Sequence, residues 1–301
     1  MKKGIAQQQL MRRISQLQLT GRTTSPPTTT TAPSPKPTHS PSHTNVLRQG
    51  NVVSTDLGEC LVIDRPISEL WKNSRHWLDN SAEHLGRLQQ STERDLPKLR
   101  NVFPQRTMLL DLETCGFAGS TVFLAGVITN VDGQLMLKQI FARDYSEEPA
   151  LLSELWRITR QSNALVTFNG KSFDWPVVMD RSVLHQLADC HWLRGESDSG
   201  DDAADDWLAD LRPPLHVDLL HISRRLWKDK LSNCRLQTLE KAICHRQREG
   251  DIPGREIPHA YRDFVQGHVV WPMNDVLKHN ALDLVTLLQL LLVAIKMSVK
   301  G

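Results

Sequence analysis

The chain has 301 residues, 40% of them hydrophobic, and a formal net charge of +2, which suits a soluble globular protein of one or two domains rather than a uniformly basic nucleic-acid binder. Its five cysteines (Cys60, Cys115, Cys190, Cys234, Cys244) are odd in number and form no C-x-x-C pair, so a disulfide framework or zinc knuckle is not expected and a reducing, cytoplasmic setting is. No membrane span is expected: the apolar run at 284–297 is short, carries Gln289 and starts beside Asp283, as a buried core helix does.

Residues 1–50 carry Lys2, Lys3, Arg12, Arg13, Arg22, Lys36 and Arg48 and no acid. Residues 20–44 are mostly Thr, Ser and Pro, with too little to bury to offset their ordering entropy. A disordered basic tail is expected, with residues 7–19 a short basic helix only when bound. The tail overlaps in composition with a mitochondrial transit peptide, but its basic residues are sparse. Residues 51–104 are expected to form an N-terminal extension. It holds a strand at 60–63 and one or two helices over 66–96 that carry Trp71 and Trp77 and stop at Pro97.

Residues 105–298 read as an α/β domain. Strands are expected at 108–110, 122–128 and 134–142, the last two joined by the turn Val131-Asp132-Gly133. A helix at 151–161, a strand at 164–168 and a helix at 175–188 follow, with Pro176 in the helix's first turn. Seven acids between Glu196 and Asp210, with no base among them, mark 195–212 as an acidic surface insertion. Residues 216–227 start as a strand and become a helix that Asp218 can cap. Helices at 236–244, 261–265 and 275–297 complete a mixed sheet flanked by helices.

Three acidic motifs carry chemistry. Asp111 and Glu113 close an apolar strand as D-x-E, and alternation puts both carboxylates on one face. They repel each other, and a hard divalent cation offsets that repulsion; chance also supplies such pairs. Asp174 ends the run Phe168-Asn169-Gly170-Lys171-Ser172-Phe173-Asp174 at a helix start, where it can serve as a third carboxylate or merely cap the helix. His279 and Asp283 are four apart on a helix and share a face. There Asp283 can hold a cation and His279 can take a proton from water, or both can simply be solvated.

The order D-x-E-T-x-G, F-N-G-K-S-F-D, H-N-x-x-D resembles the DEDD superfamily of 3′–5′ exonucleases, with a ribonuclease H-like fold. It resembles more closely the YprB-like branch, through residues 60–66 (CLVIDRP), 165–177 (LVTFNGKSFDWPV), 216–227 (HVDLLHISRRLW) and 234–257 (CRLQTLEKAICHRQREGDIPGREI). The resemblance spans roughly residues 50–295 and leaves out the tail.

It implies phosphodiester hydrolysis with two Mg²⁺ or Mn²⁺ ions about 3.5–4 Å apart. It places the metal-binding acids at Asp111, Glu113, Asp174 and Asp283 and the water-orienting residue at His279. Asp111 would bridge the ions, Glu113 and Asp283 would hold the one that activates water, and Asp174 the other. Asn169, Lys171, Arg224 and Arg225 are candidates for phosphate contacts, and Arg224 and Arg225 equally for a solvated helix face. Trp175 is a candidate for base stacking, with a core position the default. In this family a His usually stands five residues before the last Asp and a Tyr four; here a His stands at four. The implied partner is nucleic acid, with a single-stranded 3′ end and no membrane. The alternatives are a weak or inactive nucleic-acid-binding or docking module, and a small-molecule phosphodiesterase.

Overall fold

The computed structural model describes residues 50–88, 94–116, 120–187, 190, 192, 213–268 and 272–299. The expected tail, its bound helix at 7–19 and the acidic insertion at 195–212 lie outside the described residues. The chain begins with strands β1 (Asn51–Thr55) and β2 (Gly58–Pro66) and helices α1 (Ile67–Leu70) and α2 (Ser74–Arg87). Strands β3 (Thr107–Thr114), β4 (Val122–Val131) and β5 (Gln134–Phe141) follow, then α3 (Glu148–Thr159), β6 (Ala164–Thr167) and α4 (Asp174–Leu184). Strand β7 (Leu215–Asp218) leads into α5 (Leu219–Trp227), α6 (Leu236–Ile243), α7 (Ile257–Val265) and α8 (Met273–Ser298).

The seven strands form one sheet in the order β1-β2-β5-β4-β3-β6-β7. Pairings from β1 to β3 are antiparallel; β3–β6 and β6–β7 are parallel. This is the expected mixed sheet flanked by helices. One region departs from expectation: the strand expected at 60–63 is the centre of β2, and β1 pairs with it as a hairpin. Strand β3 carries the D-x-E pair to its end, where ladder pairing to β4 holds Asp111-Leu112-Glu113 extended. The β4–β5 turn is a two-residue loop with φ of 50° at Asp132 and 86° at Gly133, the left-handed pair that an Asp-Gly hairpin tolerates.

Alternation along β3 sorts the two sides of the sheet. Met108 and Leu110 join a core with α3, α4 and α7, where Phe123 stacks on Tyr261 at 4.0 Å. Trp175 is buried there between Trp156 and Trp192, in the core position. Leu109 faces the opposite core, with α2, α5, α6 and α8. Helix α8 is long and apolar enough to cross a membrane by length and composition, yet 16 of its 26 residues are buried within the fold. Because β3, β6 and β7 are parallel, Glu113, Thr167 and Asp218 end at one edge of the sheet, and the loops after them build the site.

Candidate active site

Asp111 and Glu113 continue the face of Leu109, so they point toward α8. Gly126 on β4 pairs with Asp111 and lets α8 approach closely: a Cβ there would lie 2.1 Å from Asn280 Oδ1 and 2.6 Å from Leu284 Cδ1. Asn280, fully buried, donates through Nδ2 to Asp111 Oδ2 at 2.9 Å and to the Asp111 carbonyl at 3.2 Å. Its Oδ1 accepts from Gln139 Nε2 at 3.0 Å, and Gln139 Oε1 accepts from Arg65 at 2.9 Å. A chain of side-chain hydrogen bonds thus crosses the sheet and ends on Asp111.

Asp174 is the first residue of α4. Its Oδ1 accepts from Leu112 N–H at 3.2 Å, the amide between Asp111 and Glu113, so the carboxylate is turned to the strand pair. The loop before it is held by Asp218, whose carboxylate accepts from the amides of Asn169 (2.8 Å), Lys171 (3.1 Å) and Leu220 (3.0 Å). Asn169 takes φ of 66°, which bends the loop back toward β7. Lys171 Nζ lies 3.8 Å from Asp95 Oδ2. Arg224 and Arg225 stand in the last turn of α5, exposed. That helix starts at the site edge and rises about 1.5 Å per residue, so they lie roughly 9 Å along its axis from it. The structure therefore gathers Asp111, Glu113, Asp174, His279 and Asp283, with Asn169 and Lys171 in the loop before Asp174, while Arg224 and Arg225 stand at the far end of α5.

His279 Nε2 lies 3.4 Å from Asp283 Oδ2, the i,i+4 pair on α8. Both residues also bind partners that spacing did not reveal. His279 Nδ1 is 3.0 Å from each oxygen of Asp251. Arg248 hydrogen-bonds Asp283 Oδ1 through Nη2, Asp251 Oδ2 through Nη1 at 3.0 Å, and Glu240 Oε2 through Nε at 2.6 Å. Residues 248 and 251 lie in a loop with no periodicity, so only the tertiary fold brings them here. Asn280 is adjacent to His279 in the H-N-x-x-D motif and was the legible hint.

Electrostatics separate the four acids. Burial, together with Asp283, Glu113 and Asp174, drives Asp111 well above the usual carboxylate range. Burial raises Glu113 to about 8; His279 opposes this and Asp283 and Asp174 add to it. Burial lifts Asp174 to about 7 against the Leu112 hydrogen bond. Burial would also raise Asp283, but His279 and Arg248 hold it below its ordinary value. Burial would lower His279, yet Asp283, Glu113 and Asp251 push it up to about 9.

In chemistry this donor set fits a hard divalent cation: oxygen ligands, with a negative charge that a cation would relieve. Among the described residues no three His, Cys, Asp or Glu are already arranged to hold one ion. The acids are turned instead to Asn280, the Leu112 amide, His279 and Arg248.

Comparison with known proteins bears on the same region. Residues 108–294 match the family model of the RNase H superfamily. The chain is 34% identical over 187 residues to the uncharacterized protein YprB of Bacillus subtilis (strain 168), an alignment covering 60% of this chain and 40% of that protein. The chain thus spans less than half the length of that relative.

Proposed function

Because the chain belongs to the RNase H superfamily, we propose that it is a metal-dependent nuclease, a 3′–5′ exonuclease of DEDD type in a YprB-like branch, acting on single-stranded nucleic acid. The observation that carries this reading is the convergence of four carboxylates on one sheet edge, three of them with pKa raised by burial. Asp111, Glu113, Asp174 and Asp283 would hold two Mg²⁺ or Mn²⁺ ions. When bound, such ions supply Lewis-acid activation of water and of the phosphodiester. Asn280 keeps one Asp111 oxygen oriented. His279 would orient the attacking water, or take its proton once bound cations offset the carboxylates that hold the imidazole charged. Asn169 and Lys171, in the loop before Asp174, would meet phosphate oxygens. Arg224 and Arg225 would meet only a longer strand that runs past the site.

The test is cleavage of 3′-labelled and 5′-labelled single strands with Mg²⁺ or Mn²⁺, beside Asp111→Ala. We expect stepwise shortening from the 3′ end, reduced at least about a hundredfold in the variant. Equal turnover by Asp111→Ala, or none by the parent with either metal, would sink the enzyme reading. A second reading, a docking module with a weak site, is favoured by the pairing of Asp283 with Arg248. Strand binding without turnover in the parent would establish it.

A further inference from the structure

We propose that Asp251 is a positioning residue for His279, and that Arg248 fixes the pair against Asp283; the inference rests on the nuclease reading above. His279 projects from α8 with only 6% of its surface exposed. Its Nδ1 faces both Asp251 oxygens at 3.0 Å. A histidine that donates Nδ1–H to a carboxylate has its ring plane set and keeps Nε2 for chemistry. Here Nε2 is the nitrogen turned toward the acidic cluster, 3.4 Å from Asp283 Oδ2.

Asp251 comes from the loop between α6 and α7, 28 residues before His279 in sequence. Such a loop cannot place a carboxylate to hydrogen-bond accuracy without supports. Arg248, 7% exposed, supplies one. Its planar fork binds Glu240 on α6, Asp251 in the loop and Asp283 on α8, so three carboxylates from three segments share one rigid group. Arg246 adds a second anchor through Glu240 (3.2 Å), Thr286 (3.1 Å) and Gln289 (2.6 Å). The arrangement is a carboxylate–imidazole pair whose far nitrogen addresses the reaction centre. It also answers the unusual spacing in H-N-x-x-D. A His four residues before the Asp lies directly over it on the helix, and a partner on the ring's other nitrogen fixes how it is aimed.

The test uses the full chain in four forms: parent, Asp251→Asn, Arg248→Lys and His279→Gln. In metal-free protein labelled with ¹⁵N-histidine, the His279 Nδ1–H proton is expected as a downfield, slowly exchanging signal, assigned by its absence in His279→Gln. Asp251→Asn is expected to move it upfield and speed its exchange. On a labelled single strand with Mn²⁺, Asp251→Asn is expected to lower kcat at least about tenfold with KM little changed. A merely structural contact would instead leave kcat alone in the folded fraction. Should Asp251→Asn not fold, Arg248→Lys decides, since it keeps the charge and loses the fork; a weakened Nδ1–H signal and a lower kcat are expected. Absence of the signal in the parent, or unchanged kcat and signal in the folded variant, overturns the proposal. A parent that shows the Nδ1–H signal but cleaves no strand with either metal overturns the nuclease reading instead.

Discussion

Asp283 differs from its three neighbours because a guanidinium and an imidazole together outweigh its burial, whereas His279 offsets burial only in part at Glu113 and other carboxylates add to it at Asp111 and Asp174. The same competition between burial and partners governs His216 on β7. It lies 2.9 Å from Thr167 Oγ1, and burial, with Lys171 nearby, lowers it to about 4 against Asp218 and Asp95. The folded chain therefore refuses a proton that the unfolded chain accepts near the ordinary histidine value of 6.5. Stability from this group is complete above that value, falls as pH drops through it, and stops falling below about 4, a loss on the order of 3 kcal/mol. Urea titrations of the parent and His216→Gln at pH about 7.5 and about 4.5 check this. The parent is expected to lose more stability than the variant between the two, and equal losses would refute it.

At the scale of elements, the site depends on how close α8 comes to the sheet. Asn280 and Leu284 occupy the space a side chain at 126 would need. Gly126→Ala must push α8 outward, at a cost of about 1–3 kcal/mol. A melting temperature lower by several degrees is expected, with weaker turnover because Asn280 leaves Asp111. A variant that melts with the parent would show that the helix yields freely. The strand and helix pattern was legible here because alternation and 3.6-residue spacing are local. Strand β1 was not, because its mostly exposed residues show no alternation and β2 imposes it through backbone pairing.

At the scale of the whole molecule, residues 111, 113, 174, 279 and 283 are far apart in sequence and share one sheet edge. Four carboxylates are thereby concentrated in a partly buried place, and a cation bound there would stabilise the folded state by mass action. Mn²⁺ at about a hundred times its dissociation constant is expected to raise stability by about 2.7 kcal/mol, read as a higher melting temperature. Asp111→Ala is expected to lose most of that rise, and an equal rise in the variant would place the cation elsewhere.

The sequence by itself determined the alternation of strands and helices, the facing of Asp111 and Glu113, and the i,i+4 pairing of His279 with Asp283, because each follows from the repeat of one element. Only the tertiary structure decided that Asp251, Arg248, Asn280 and Gln139 support those residues. Such contacts join loops and strands whose separation in the chain carries no period, so they exist only once the sheet and α8 have packed.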